Sequence, residues 1–237
     1  MIMRFFILIG FALMVAIHAN ENIKAENTSA STYTLSADKI KGKGKVITET
    51  RQLESFENIC NSGIFNIKIV QSNESKVVVT VHENIMPYVA TEVKDGMLSI
   101  YFNTDSSIDE DKHDIVVYTP YCNIITNEAV GSISCDKLTA SSLIINNIGV
   151  GKIKLSNVSA DQIDISNEGV GKTDIQNIKA NIVKVNNDGI GSVELSGNTN
   201  KAYYGNEGIG RINASKLTAA KIEASNEGIG KIDARNE

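Results

Sequence analysis

Residues 147–171 read NIGVGKIKLSNVSADQIDISNEGVG. One five-residue phrase occurs in them twice, as Asn147-Ile-Gly-Val-Gly151 and as Asn167-Glu-Gly-Val-Gly171. Variants of it stand at Asn127-Glu-Ala-Val-Gly131, Asn187-Asp-Gly-Ile-Gly191, Asn206-Glu-Gly-Ile-Gly210 and Asn226-Glu-Gly-Ile-Gly230. The steps between the asparagines are 20, 20, 20, 19 and 20 residues. A fixed period of this length marks a repeat architecture, in which each unit needs its neighbours to cover its apolar faces.

Between two phrases lie two short segments, Ile153/Leu155 and Ile163/Ile165 in the coil just quoted. Their alternation has period two, which describes half-buried strands. They are too short, too β-branched and too often interrupted by glycine for helices. Aligning the repeats gives seven apolar columns expected to line a core. One starts at Ile133 and Ile153, another at Leu143 and Ile163, and a turn column at Leu138 and Val158. Val130, Val150, Val170, Ile190, Ile209 and Ile229, one before the last glycine of each phrase, form the seventh. The expected fold is all-β: a parallel β-helix with coils of about 20 residues, stacked at about 4.8 Å.

The phrase itself is read as a corner. Stacked in register, Asn127, Asn147, Asn167, Asn187, Asn206 and Asn226 can bond amide to amide as a ladder. Gly131, Gly149, Gly151, Gly169, Gly171, Gly189, Gly191, Gly208, Gly210, Gly228 and Gly230 are expected to supply left-handed backbone there. Glu128, Glu168, Asp188, Glu207 and Glu227 make an acidic column. Lys152, Lys172, Arg211 and Lys231 make a basic one that is expected to offset it. No further oxygen ligands converge on the acids, so no metal is assigned to them.

The rest of the chain frames this half. Residues 1–19 read as an export signal: Arg4, an apolar run over 5–17, and a small residue, Ala19, for cleavage. The run is too short to span a bilayer comfortably, so membrane contact is expected only in transit. Residues 20–45 are polar and end in Lys-Gly-Lys-Gly-Lys, a flexible leader. Residues 46–122 carry longer strands without the 20-residue rule and are assigned as an irregular β segment capping the stack, which then covers 123–237. The acidic stretch 105–114, with His113, is read as a solvated hairpin tip, and His82 as a surface residue.

Chemistry is sparse. With net charge -5 and basic residues spread singly, nothing matches the clustered basic footprint of a nucleic-acid binder. The outward columns, such as Ser134, Lys154, Asp174, Glu194, Asn213 and Asp233, mix signs as a solvated sheet does. No catalytic residue, metal site or cofactor is assigned. Cys135 falls in an inward column; Cys60 and Cys122 either pair or stay free, and the sequence leaves both open. Tyr204 points inward by register, so Tyr203 projects from an outer sheet as the best single candidate for a contact. Inward residues shrink from Leu195 to Ala214, Ala224 and Ala234, and that tapering edge is offered to a partner or to weak self-association.

The phrases GVGKIKLSN and SNEGVGKTDI, with Phe56-Glu-Asn-Ile59, Ile64-Phe-Asn-Ile-Lys-Ile69 and Thr91-Glu-Val-Lys-Asp-Gly-Met-Leu98, resemble the bacterial head-GIN domain family over residues 46–237. The family's corners are typically Gly-Ser-Gly, whereas these are Gly-Val-Gly or Gly-Ile-Gly. The resemblance implies a right-handed β-helix, no recognised catalytic residues and a role in adhesion. The expected function is therefore a non-catalytic exported adhesin, or a surface or periplasmic module binding a protein or glycan of the envelope. A carbohydrate-binding or carbohydrate-active β-helix and a structural envelope component are the alternatives.

Overall fold

The computed structural model describes residues 39–236. The segment read as a signal and most of the polar leader lie outside them. From Ile124 onward each strand lies parallel on its counterpart one repeat later, in the register the columns require. Asn127 pairs with Asn147, Asn147 with Asn167, Asn167 with Asn187, Asn187 with Asn206, and Asn206 with Asn226. Ile133, Ile153, Thr173, Val193, Ile212 and Ile232 stack in the same way. The chain is a parallel β-helix. Strands such as Lys172–Asn187 and Arg211–Asn226 run on through a bend, where their pairing with a neighbouring coil shifts register and resumes. The described residues include no α-helix, only a 3-10 turn, Met86–Tyr88, at the irregular crossing expected after Asn84.

The stack begins earlier than its period suggests. Asn58–Asn61 lies parallel under Ile124–Asn127, and Asn66–Gln71 parallel with Ser132–Cys135. Below them come Met97–Phe102 and Asp114–Thr119, again parallel. Only then do the antiparallel strands Val89–Lys94, Lys76–His82 and Val46–Gln52 close the end. The segment expected to be wholly a cap thus contributes two rungs of the helix itself. The sequence hides them because Asn61 and its partner Asn127 are 66 residues apart, with a later stretch of chain threaded beneath.

Two polar stretches are also more ordered than their composition implies. Lys39–Lys41, inside the stretch read as flexible leader, pairs parallel with Ser107–Asp109, inside the stretch read as a solvated tip. Glu110 fastens this pair. Its side chain is buried, accepts hydrogen bonds from the backbone N–H groups of His82 (3.2 Å) and Lys112 (2.9 Å), and lies 2.6 Å from His82 Nδ1. His82 is consequently half-buried instead of a free surface residue.

The core changes composition along the axis. Phe56 and Phe65 fill the capped end, with Phe65 packed against Phe102 at 4.4 Å between ring centroids. Isoleucine, leucine and valine fill the middle coils, and Ala202, Ala214 and Ala219 the later ones. Ala224 and Ala234, in inward columns, are exposed in the last rungs. Tyr204 is buried in register between Val185 and Ala224, and its hydroxyl finds no hydrogen-bond partner among the described residues. The coil one residue short loses its residue between Leu195 and Gly197, so Gly197 occupies the slot of Ile178 and Leu217. It has φ +125°, and a Cβ there would strike the backbone of Ile178.

The corner glycines have another purpose than expected. None lies at positive φ; among the described residues the glycines that do are Gly44, Gly96 and Gly197. Left-handed backbone at a repeat bend belongs to Asn157 (φ 52°) and Asn177 (φ 55°) on the opposite side of the coil. The corner glycines instead permit contact between coils. A Cβ on Gly171 would fall on the carbonyl oxygen of Gly151, far inside van der Waals distance, and Gly169 faces Gly149 likewise.

Two outcomes follow from this packing. Gly171→Ala should lower stability by about 1–3 kcal/mol, since backbone must move to admit one methyl group; urea unfolding with a fluorescence or circular dichroism readout measures it. Tyr204 is an acid pushed up to about 12 by burial, against about 10 in an unfolded chain. Between those values the unfolded chain has lost a proton that the folded chain keeps, so stability falls as pH rises through that window. Tyr204→Phe should abolish that part of the alkaline loss and, lacking an unpartnered hydroxyl, gain about 1 kcal/mol at neutral pH. Denaturation midpoints of both proteins at neutral and alkaline pH test this.

Candidate functional site

The corner phrase brings together most of the residues singled out in the sequence. At its inner edge the asparagine side chains are joined end to end, buried from Asn61 to Asn206 and exposed at Asn226. Asn61 Nδ2 donates to Asn127 Oδ1 at 2.9 Å, Asn127 to Asn147 at 3.2 Å, and Asn147 to Asn167 at 3.2 Å. Asn167 donates to Asn187 at 2.6 Å, Asn187 to Asn206 at 2.7 Å, and Asn206 to Asn226 at 2.7 Å. Asn61 is the residue that sequence reasoning missed; its signal was an asparagine two places after Ile59, in a strand without the phrase that follows the others. The remaining Nδ2 protons reach corner carbonyls, as Asn147 to Gly151 at 3.4 Å and Asn226 to Gly230 at 2.9 Å. The main-chain carbonyls of Asn127, Asn147, Asn167, Asn187 and Asn206 each accept two N–H groups from the next coil. Asn147 O takes those of Glu168 and Gly169, both at 3.1 Å.

Residues then alternate inward and outward across the corner. The asparagine and the two glycines of a phrase face the coil below, while the second, fourth and sixth positions face solvent. The seventh apolar column therefore does not enter the core. Val130, Val150, Val170, Ile190, Ile209 and Ile229 are each 56 to 84% exposed, and Ile148 beside them is exposed too. The reason is the alternation itself: with Gly169 and Gly171 forced inward by coil contact, Val170 between them has only solvent to face. The result is a continuous aliphatic ridge, one side chain per coil, along the length of the stack. Five steps of about 4.8 Å make it about 24 Å long.

Charge flanks the ridge unevenly. On one side stand Glu128, Glu168, Asp188, Glu207 and Glu227, all exposed. On the other stand Lys152, Lys172, Arg211 and Lys231. The cations were expected to offset these acids, but three of them turn away. Lys172 Nζ pairs with Glu194 at 2.7 Å, and both Lys231 and Arg211 pair with Asp233. Lys231 and then Arg211 hold the Asp233 carboxyl below the usual carboxylate range. Among the described residues no ion pair is formed by any of the five acids of the column; Glu128 and Glu168 accept only serine hydroxyls.

Other candidates are less developed. Tyr203 lies half-buried on an outer sheet, in register between Lys184 and Glu223. A polar trough of 590 Å³ runs along the opposite bend, lined by Ser159, Asp161, Lys179, Asn198, Thr199 and neighbours, with no aromatic ring for a sugar to stack on. His82, Glu110 and Asp111 bring donor atoms within 4.8 Å of one another, but Glu110 is already engaged in tying its loop. All three cysteines are free thiols. Burial pushes Cys60, Cys122 and Cys135 upward, so they are held as neutral thiols.

The ladder, the corner and the parallel stack together place the chain among known proteins. The family described as "Putative auto-transporter adhesin, head GIN domain" matches residues 55–237. The chain belongs to that family. Solved structures share the fold: a putative lipid binding protein from Parabacteroides distasonis (22% identity, 84% of this chain and 95% of that one, TM-score 0.76). A putative adhesin from Parabacteroides merdae follows (19%, 85% and 100%, TM-score 0.73), as does one from Bacteroides fragilis (22%, 84% and 100%, TM-score 0.70). No curated protein matches the chain. For this head-GIN protein the ladder is also a measurable element. Asn167→Ala removes two amide bonds and leaves the buried amides of Asn147 and Asn187 short of partners, at about 1–3 kcal/mol each. Asn226→Ala, at an exposed rung, should cost well under half as much. Thermal and chemical denaturation of the two variants side by side gives the comparison.

Proposed function

We propose that this head-GIN protein is an exported, non-catalytic adhesin-like module that binds an envelope or surface partner through its aliphatic ridge. The observation that carries the reading is the row of six exposed valine and isoleucine side chains, from Val130 to Ile229. Single exposed aliphatics are ordinary, but a continuous row rimmed by charge is the composition of a contact surface. Packing does not require aliphatics there, since the ridge touches no core. Membership of a family described as adhesins supports the reading, as does the apolar run at 5–17 with Ala19 behind it. Export to the periplasm, the cell surface or the medium is part of the proposal.

Cell fractionation should find the chain outside the cytoplasm and shortened by its first 19 residues, as mass spectrometry of its N-terminus will read. Purified chain should adhere to envelope fractions or immobilised matrix. Val150→Lys, Val170→Lys and Ile190→Lys combined should lose most of that adherence with an unchanged circular dichroism spectrum. Unchanged adherence of a folded triple variant would overturn the ridge as the binding face. Retention of the chain in the cytoplasm would overturn export.

A further inference from the structure

We propose that the occupant of the ridge is a second copy of this chain, docked ridge to ridge about a twofold axis parallel to the stack. The inference rests on the reading of the ridge as a contact surface and names its partner. Two facts carry it: the ridge is flanked by opposite charges, and the acids on one flank form no ion pair among the described residues.

The symmetry follows from the order of the phrase. Acid, aliphatic and base stand together at Glu168, Val170 and Lys172, at Glu207, Ile209 and Arg211, and at Glu227, Ile229 and Lys231. Three parallel columns therefore run up one face, acidic, apolar and basic, with Ile148, Ser132 and Ser192 in place of a charge in the other coils. Turn a second copy by half a rotation about the ridge and its basic column faces the first copy's acids, while its acids face the first copy's bases. Corresponding coils stay level, because a closed twofold operation about this axis permits no shift along it. Glu168 then meets Lys172 of the second copy, Glu207 meets Arg211, and Glu227 meets Lys231, each pair occurring twice. Lys152, which forms no ion pair among the described residues, lies one coil from the second copy's Glu168. The antiparallel alternative, about an axis across the ridge, sets Glu128 against Glu227 and Glu168 against Asp188 and is disfavoured by like-charge contact.

The existing partners of these cations do not stand in the way. Lys172 with Glu194, and Arg211 with Asp233, are exposed or half-exposed pairs of the kind that exchanges readily. The acids gain more. Stacked at about 4.8 Å without counter-ions, they repel one another in a single copy, and a facing cation column relieves that repulsion. The ridge is about 24 Å long, and the strip between acidic and basic backbone positions about 13 Å wide. Such a footprint, about 300 Å² on each copy, is smaller than that of stable specific interfaces, which bury about 1,200 Å² or more in total. The dimer is therefore reversible and concentration-dependent.

Sedimentation velocity on the mature chain, in low salt and over a wide concentration range, should show a monomer passing to a dimer. Val170→Lys with Ile190→Lys should remain monomeric. Glu168→Lys with Glu207→Lys should also remain monomeric, and adding Lys172→Glu with Arg211→Glu should restore the dimer, which a variant damaged in folding cannot do. Orientation is read by cysteine cross-linking in a Cys60→Ser background. With parallel, level copies, Val130→Cys and Ile229→Cys each cross-link to themselves. Antiparallel copies would cross-link only when those two variants are mixed, and that result overturns the proposed symmetry. A wild-type chain monomeric throughout overturns self-docking. If such a monomer still adheres and the ridge lysine variants do not, the ridge remains a binding face for another partner; if those variants adhere equally well, both readings fall.

Discussion

Everything in this molecule depends on how closely one coil can sit on the next at the corner phrase. From Asn127 to Asn206 the main-chain carbonyl of each ladder asparagine accepts two N–H groups from the coil that follows, and the glycine carbonyls accept others further along. Hydrogen bonds of about 3.1 Å hold the two backbones in contact through a bend where side chains would separate them. The asparagine and the glycines of the phrase recur for this reason. Asparagine supplies a side chain that repeats the backbone's own pattern of donor and acceptor, and glycine supplies the absence of a side chain. Bonds aligned head to tail along the amide ladder polarise one another.

That constraint creates the ridge. Where inward positions are reserved for glycine and asparagine, the residues between them are pushed outward and contribute nothing to the core. Their identity is then unconstrained by folding. A chain selected only to fold and stay soluble could carry serine or lysine at positions 150, 170 and 190. Valine and isoleucine in all six places add exposed apolar surface to a protein that has charged residues to spare. Packing within the molecule does not account for this column.

The parallel stack, its register and its period were legible in the sequence because identical spacing forces equivalent residues into vertical contact. The columns beginning at Ile133, Leu138 and Leu143 faced the core as their alternation implied. What was not legible came from threading and from contact distance. Asn61 joins the ladder across 66 residues, a separation no periodicity reveals. Glu110 sits in a run of polar residues, and only the folded chain shows it buried against His82. Val130 and its successors looked like core by hydrophobicity. Their direction is set by the flanking glycines, which signal closeness between backbones and not the left-handed turn first attributed to them. The left-handed positions were at Asn157 and Asn177, in a bend whose asparagines drew no notice because they recur only twice at a 20-residue spacing, Asn177 donating to Asn157 at 3.1 Å.

A solenoid of this kind presents repeated columns in place of a single enclosed pocket, and that shapes the chemistry open to it. Each coil adds the same small increment of apolar surface and charge, so recognition grows with the number of coils engaged and not with the quality of any one contact. Partners suited to such a surface must themselves repeat at about 4.8 Å, or be flexible enough to follow it. Few surfaces repeat at that interval, and the edge-on corner of another β-helix is one of them. A copy of the same chain brings the matching interval and the complementary order of charges at once. A chance partner would have to match the spacing and the polarity separately.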